Sequence, residues 1–140
     1  YCKACHNQTY YSTWSDDSSE ALSKKHARRG ISCQTCHDRT VTESLDELGT
    51  HIIGAYSLPL KERQYSMEAL CFKCHENYDK VVPLTTTERL GSERNPHAGH
   101  WGLLECNECH KMHRTSKDYC FSCHNAVAKE PGWDSTTPIK

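Results

Sequence analysis

The sequence has little of the material from which a globular protein builds an aliphatic core. Among its 140 residues there are two phenylalanines and two methionines, and 36% of the residues are hydrophobic. The mean hydropathy is correspondingly low, at -0.81. A chain of this composition buries too little apolar surface to fold on its own. We therefore expect something other than polypeptide to fill the interior.

Long hydrophobic runs are also missing. The best candidate extends from Ile52 to Leu60 and is interrupted by Gly54 and Pro59, whereas a membrane-spanning helix needs about 20 apolar residues. The sequence thus predicts no membrane span. With a formal net charge of -1 and no basic run, it also predicts no nucleic-acid binding. No alternating pattern typical of β-strands occurs.

Cysteine and histidine, in contrast, are abundant and follow one pattern. All ten cysteines fall in five Cys-x-x-Cys-His segments, and none is left over. This pattern is the attachment signal for haem c, in which two thiols form thioethers with the porphyrin and the histidine binds the iron. The predicted attachment residues are Cys2, Cys5, Cys33, Cys36, Cys71, Cys74, Cys106, Cys109, Cys120 and Cys123. The predicted proximal iron ligands are His6, His37, His75, His110 and His124.

Other uses of paired cysteines fit less well. A structural zinc site needs two such pairs and no adjacent histidine, and five pairs do not divide evenly. A disulfide scaffold leaves the five following histidines unexplained, and a thioredoxin-like redox pair normally occurs once. The pattern therefore favours five covalent haem c groups.

The remaining histidines match the number of irons. Five are not part of a Cys-x-x-Cys-His segment, namely His26, His51, His97, His100 and His113. This is the number needed to give every haem a second histidine, so the sequence predicts bis-histidine iron throughout. Such iron has no open position for a substrate, which indicates an electron carrier rather than an enzyme.

Spacing limits which histidines share an iron. His113 lies about one helical turn after His110, so both cannot bind opposite faces of one porphyrin. His97 and His100 are three residues apart and are expected to reach two different irons. The segment between His110 and Cys120 is short, and the last two haems should therefore lie close together.

Cap signals predict short helices and little or no β-structure, with five covalent haems as the core. The first predicted helix lies at about 18–29 and is ended by Gly30, and the second runs from a capping box at Thr40 to Gly49, with His51 at its exit. A third helix is predicted from near Ser66 through His75, and a short fourth one is opened at 85–88 and ended by Gly91. Residues 131–140 are predicted to form a surface arm. We interpret residues 1–140 as a single domain with an extra haem at 1–20, a central part at 21–128 and a C-terminal arm at 129–140.

The segment from His97 to His124 resembles the second half of the small tetrahaem cytochromes c and of the haem domain of flavocytochrome c fumarate reductases. It has their His-x-x-His, then Cys-x-x-Cys-His-x-x-His, then a last Cys-x-x-Cys-His. Lys25-His26-Ala27 and the segment from Cys71 to His75 are also similar to that family. The resemblance implies that the spare histidines of this region are distal iron ligands, namely His26, His97, His100 and His113.

The haem site from Cys2 to His6 departs from the tetrahaem pattern. His51 is the one spare histidine left for it, by elimination. Five haems on a small chain also resemble the periplasmic pentahaem donor of cytochrome c nitrite reductase.

The sequence therefore predicts an electron-transfer protein outside the cytoplasm, periplasmic or extracellular, because haem c is attached there, with an export signal already removed. Its expected partner is a flavoprotein reductase, a membrane quinol dehydrogenase or a terminal reductase, as in anaerobic respiration. One alternative is self-assembly into an oligomer or extracellular cytochrome filament, with a distal ligand from a neighbouring subunit. A haem enzyme that reduces an oxyanion is another, although no Cys-x-x-Cys-Lys variant occurs.

Overall fold

Short helices joined by irregular segments make up most of the structure. The computed structural model describes residues 8–57, 64–124 and 131–134. The α-helices are α1 Gln8–Ser15, α2 Leu22–Ala27, α3 Cys33–Cys36, α4 Val41–Ile53, α5 Phe72–His75, α6 Tyr78–Val81, α7 Thr87–Leu90 and α8 Cys106–Cys109. Single 3-10 turns occur at Val82–Thr85, Pro96–Ala98 and Tyr119–Ser122. The predicted mostly irregular fold with short helices is confirmed.

An aliphatic core is almost absent from the described part of the chain. Ala21 and Met67 are its buried hydrophobic residues, and no side chain there is both large and completely buried. Eleven large hydrophobic side chains are instead exposed to solvent. Apart from Met67, the large hydrophobic side chains of the described residues are half-buried or exposed, so they do not close a core.

Hydrogen bonds hold the first two helices together. The carbonyl of Thr13 in α1 accepts from the hydroxyl of Ser23 in α2, at 3.0 Å. The buried Lys24 donates to the carbonyl of Ser15 at 3.0 Å and to the carboxylate of Asp17 at 2.8 Å. The bond from Lys24 lowers the pKa of Asp17. A buried charge paired in this way fixes α2, and with it His26, against α1.

The predicted helix at 18–29 is shorter than expected. Asp16 accepts from the backbone N–H of Ser18 at 2.8 Å, which lowers the pKa of this carboxyl and forms a turn in place of a helical start. The helix α2 begins at Leu22 instead. It also ends earlier, at Ala27, and the turn that follows reaches Gly30, which adopts a positive φ of 80° that glycine tolerates.

The helix α4 begins as predicted and ends later. Thr40 and Glu43 form a capping box, in which Glu43 N–H donates to Thr40 Oγ1 at 3.2 Å and Thr40 N–H to Glu43 Oε2 at 2.8 Å. Gly49 does not end the helix, since one glycine costs an interior turn only about 1 kcal/mol. The helix continues to Ile53 and ends at Gly54, with φ 67°. His51 therefore lies inside α4 and not at its exit.

Three further expectations need correction or refinement. Residues 67–71 form turns, so the helix expected from Ser66 is reduced to α5. The helix α7 has Thr86 as its N-cap and Gly91 as its C-cap, close to the prediction. Part of the expected arm instead forms β2 Trp133–Asp134, which pairs in parallel with β1 Ser116–Lys117. Residues 135–140 of that arm lie outside the described residues.

Replacing Thr40 by alanine tests the capping box. We expect Thr40→Ala to destabilise the start of α4 by about 1 kcal/mol, so that amide hydrogen exchange at Ser44 becomes roughly fivefold faster. Thr50→Ala, in the interior of the same helix, serves as the control and should not accelerate exchange there. Equal exchange rates in Thr40→Ala and the unmodified protein would contradict the role of the cap.

Candidate haem-binding sites

The structure brings eight histidines together in four pairs. Each pair contains one histidine from a Cys-x-x-Cys-His segment and one spare histidine. The distances between ring centroids are 6.1 Å for His37 and His113, 6.4 Å for His75 and His26, 6.0 Å for His110 and His97, and 6.0 Å for His124 and His100. His113 thus faces His37, whereas His97 and His100 face two different histidines.

These separations match two imidazoles that bind one metal ion from opposite sides. A metal–nitrogen bond of about 2 Å, with about 1.1 Å from nitrogen to ring centre, gives roughly 6 Å between the two centroids. Rings in direct face-to-face contact would approach to about 4 Å. The separation within each pair is therefore the one expected for two histidines that would hold one haem iron between them.

Hydrogen bonds orient His26 for this role. Its Nδ1 lies 2.9 Å from the carbonyl oxygen of Leu22, one turn earlier in α2. A carbonyl only accepts, so Nδ1 must carry the proton. The lone pair is then on Nε2, the nitrogen that is free to bind a metal.

Two threonines orient His97 and His113 in the same way. Thr85 Oγ1 lies 2.9 Å from Nδ1 of His97, and Thr13 Oγ1 lies 2.8 Å from Nδ1 of His113. Thr13 donates its own proton to the carbonyl of Tyr10 at 2.7 Å. Thr85 likewise has other acceptors, among them Oδ1 of a neighbouring asparagine at 3.0 Å. Both hydroxyl oxygens can therefore accept from Nδ1–H, which leaves Nε2 unprotonated.

A common backbone arrangement places each proximal histidine beside its two cysteines. Cysteines three apart within one turn present both thiols on one side of the backbone. In each described segment the histidine N–H donates to the carbonyl of the first cysteine. The distances are 2.8 Å for His37 to Cys33, 2.9 Å for His75 to Cys71, 2.8 Å for His110 to Cys106 and 2.9 Å for His124 to Cys120.

The described residues form neither a disulfide nor a zinc site with four protein ligands. None of the eight cysteines that the structure describes forms a disulfide. Within residues 8–57, 64–124 and 131–134, no three His, Cys, Asp or Glu side chains come together as a metal cluster. A zinc knuckle with four protein ligands is therefore not formed by these residues.

Neighbouring sites meet through their cysteines, in chain order. Burial, and then the charge of Cys74, raises the pKa of the Cys36 thiol. Burial, followed by the charge of Cys71, to which it is hydrogen bonded, raises the pKa of Cys106 to about 12. Burial also raises the pKa of Cys109, and the charge of Cys120, the first cysteine of the next segment, raises it further. The four described sites therefore form a contiguous series.

The third described site, made by His97 and His110, is the most shielded from solvent. Burial lowers the pKa of His97. It also lowers the pKa of His110, to about 4, and the nearby positive charges of His97 and His75 contribute. Both rings are consequently neutral at pH 7, the form that binds a metal. The ring of Trp133 in β2 covers His110 at a centroid distance of 5.1 Å.

A cavity of about 430 Å³ lies at the last site. Cys120, Cys123, His100 and His124 all line it. Its volume is in the range of cofactor pockets. The exposed ring of Trp101 also lines the cavity, at 5.6 Å from that of His100. Both thiols and both imidazoles of one predicted site thus face a single cavity, as a covalent haem requires.

The predicted fifth site is not described to the same extent. Cys2, Cys5 and His6 lie outside the described residues. His51 is exposed on α4, and its ring lies 5.9 Å from that of Tyr56. This spare histidine faces no other described histidine.

Several residues of the sites have no signature in the sequence. Thr13, Thr85 and Trp133 contact the paired histidines only because segments separated in sequence fold together. Two contacts are local: Trp101 directly follows His100, and the acceptor for Nδ1 of His26 lies four residues earlier on the same helix.

Four Cys-x-x-Cys-His segments, each facing a second histidine, define a multihaem c-type cytochrome. The sequence profile of the cytochrome c3 family matches residues 25–125, and the chain belongs to this family. It is therefore a multihaem electron-transfer protein with covalent haem c. Members of the family are electron carriers and are typically periplasmic.

Two curated proteins show the relationship in more detail. The chain is 33% identical over 124 residues to the cytochrome c-type protein Cgr1 of Eggerthella lenta, a match covering 80% of this chain and 56% of Cgr1. It is 31% identical over 100 residues to the probable fumarate reductase Ifc3 of Shewanella frigidimarina, covering 71% of this chain and 13% of that protein. No solved structure matches. The predicted family is thus confirmed. The match spans little more than half the length of Cgr1.

Removing the hydroxyl that faces His97 tests its orienting role. We expect Thr85→Val to raise the midpoint potential of one haem, because Nδ1–H loses its acceptor and the imidazole becomes a weaker donor to Fe(III). A hydrogen bond of about 1 kcal/mol corresponds to at most about 40 mV for one electron. Spectropotentiometric titration measures this shift.

Thr85→Ser is the matched control, because it keeps the hydroxyl and should keep the original potential. A shift of equal size in both variants would contradict the hydrogen-bond explanation.

Proposed function

We propose that the chain carries five haem c groups with bis-histidine iron and passes electrons to or from a redox partner outside the cytoplasm. The observation that carries this proposal is the set of four histidine pairs at 6.0 to 6.4 Å. The thiols of the five segments hold the cofactors through Cys2, Cys5, Cys33, Cys36, Cys71, Cys74, Cys106, Cys109, Cys120 and Cys123.

The proposed ligand pairs follow the observed geometry. They are His37 with His113, His75 with His26, His110 with His97, and His124 with His100. When bound, haem iron supplies a one-electron change between Fe(III) and Fe(II). Two imidazoles held by the fold on opposite sides require little movement of the ligands in either state.

The same pairing favours an electron carrier over an oxyanion reductase. In each described pair, the spare histidine would hold the iron at the position where a substrate would otherwise bind. Three of these spare histidines, His26, His97 and His113, are fixed there by a hydrogen bond to Nδ1. A side chain held in this way is not readily displaced by a small anion.

The exposed end of the series is a suitable place for the partner to bind. His100, Cys123 and His124 are exposed, whereas His97 and His110 are half-buried. The cavity at the last site and the exposed ring of Trp101 lie at this end. Electron exchange with another protein needs close approach, so we place the contact surface here.

The class of partner is inferred from the relatives. One relative is named as a probable fumarate reductase, and the match covers 13% of it, so most of that protein lies outside the matched region. This supports a separate reductase as the partner, such as a flavoprotein or terminal reductase, or a membrane quinol dehydrogenase as donor. No helix in the described residues is long and apolar enough to cross a membrane.

Counting cofactors and electrons tests the proposed function. Mass spectrometry of the intact holo-protein should show five covalent haems, and a redox titration should take up five electrons per chain. The oxidised protein should give only low-spin signals in electron paramagnetic resonance. A high-spin haem in the unmodified protein, or a chain with a single redox centre, would contradict the proposal.

Removing one distal ligand tests the pairing. We expect His97→Ala to convert one haem to a high-spin, five-coordinate form, because His110 then remains as its only protein ligand. Added imidazole should restore the low-spin spectrum by filling the space left by the ring. The other haems act as the internal control. A spectrum that stays fully low-spin without imidazole would show that His97 is not a ligand.

A further inference from the structure

The cavity at the last site has an arginine in its wall. Apart from the histidines, the charged side chains among the described residues that line this cavity are Arg94 and Glu108. Arg94 is half-buried, and Nε of its guanidinium is shielded from solvent. The guanidinium keeps its charge at neutral pH and presents several N–H donors in a planar fork. Arg94 can therefore bind an anion in the cavity in addition to its other contacts.

Hydrogen bonds fix the backbone on both sides of Arg94. Ser92 Oγ donates to the carbonyl of Arg94 at 2.6 Å, and Asn95 Nδ2 donates to the carbonyl of Val82 at 2.9 Å. Asn95 Oδ1 in turn accepts from the N–H of His97 at 3.0 Å. The segment that carries Arg94 is thus anchored to the same turn that positions a proposed iron ligand, so the guanidinium extends into the cavity wall from a defined place.

The charge of Arg94 acts on the last site itself. Burial and the charge of Asp118 raise the pKa of the Cys120 thiol, whereas the positive charge of Arg94 lowers it. Cys120, His100 and His124 line the same cavity as Arg94. A nearby cation favours Fe(II) over Fe(III), because the reduced iron carries less positive charge. The position of Arg94 would therefore favour reduction at this site.

Haem propionates have the chemistry that this cavity can bind. They are carboxylates, and they would enter a pocket that already contains the carboxylate of Glu108. Carboxylates brought together repel one another unless a cation lies close to them. A guanidinium binds a carboxylate through two parallel N–H···O bonds, which are stronger than bonds between neutral groups. Two thiols, two imidazoles and a guanidinium around one cavity thus complement the vinyl groups, the iron and a propionate of one haem.

We propose that Arg94 binds a propionate of the haem at the last site and raises the midpoint potential of that haem. This inference rests on the proposed function, because it presupposes a haem between His100 and His124. It adds to that function a residue that tunes the potential at the exposed end of the series. Arg94 thereby favours the presence of the electron at the end where we place the contact with the partner.

The holo-protein with Arg94→Gln tests the role of the charge. We expect the equilibrium constant for reduction of one haem to fall about tenfold, which corresponds to about 59 mV for one electron. Spectropotentiometric titration measures the shift, and mass spectrometry verifies that the number of haems is unchanged. Arg89→Gln is the matched control and should leave all potentials unchanged, because Arg89 is exposed on α7 and does not line the cavity. Unchanged potentials in Arg94→Gln, or equal shifts in both variants, would overturn the inference.

Arg94→Lys separates the charge from the shape of the side chain. It keeps a cation at this position and should therefore retain most of the original potential. It also decides the question if Arg94→Gln takes up haem incompletely. A potential as low in Arg94→Lys as in Arg94→Gln would show that the charge is not the cause, and the inference would then be overturned.

Two spectroscopic measurements identify the anion and the haem. Redox-induced infrared difference spectra of Arg94→Gln should show a displaced carboxylate band, and the displacement should persist when Glu108→Gln is also present. A displacement that depends on Glu108 would show that its carboxylate is the partner, against the inference. In nuclear magnetic resonance spectra, the haem with the altered potential should be the one whose signals change in His100→Ala, and an effect on another haem would also overturn the inference.

Failure of this inference is distinguishable from failure of the proposed function. Fewer than five haems, or a high-spin haem in the unmodified protein, would contradict the proposed function itself. Five low-spin haems whose potentials do not respond to Arg94→Gln would contradict the role of Arg94 alone.

Discussion

Imidazole rings that face each other at about 6 Å are the interaction on which the rest of the structure depends. The described residues contain almost no aliphatic core, with Ala21 and Met67 as their buried hydrophobic residues. The histidine pairs instead join segments that are distant in sequence, such as α2 to α5. An iron held between the rings of each pair would convert a weak contact into a coordinate crosslink, so cofactor binding and folding would be coupled. The short helices then serve to position ligands rather than to bury side chains.

The chemistry of the sites could be predicted from sequence because covalent attachment uses a local pattern. Two cysteines and a histidine within five residues are recognisable without knowledge of the fold. Which spare histidine faces which Cys-x-x-Cys-His segment, in contrast, depends on the tertiary structure. His26 lies seven residues before Cys33, yet it faces His75 of the next segment. Irregular connections determine this pairing, and they carry no periodic signal from which it could be deduced. Spacing could therefore exclude partners, as it did for His113, but could not assign them.

The same distinction applies to the helices and strands. The start of α4 was predictable because Thr40 and Glu43 bond to each other within one turn. Its end was not, because Gly49 weakens a helix without necessarily stopping it. The pairing of β1 with β2 depends on residues far apart in the chain, and each strand has only two residues. Thr13 and Thr85 likewise acquire their roles only through tertiary contacts.

The differences in exposure along the series suggest how its parts divide their roles. His97 and His110 are half-buried, and the low pKa of His110, about 4, keeps that ring neutral over the physiological pH range. The last site is exposed and opens on a cavity. Shielded ligands hold the iron in a constant environment, because neither water nor protons readily reach them. Exposed ligands permit the close approach that electron exchange with another protein requires. A series in which one site is shielded and the last is accessible would therefore suit electron transfer between proteins.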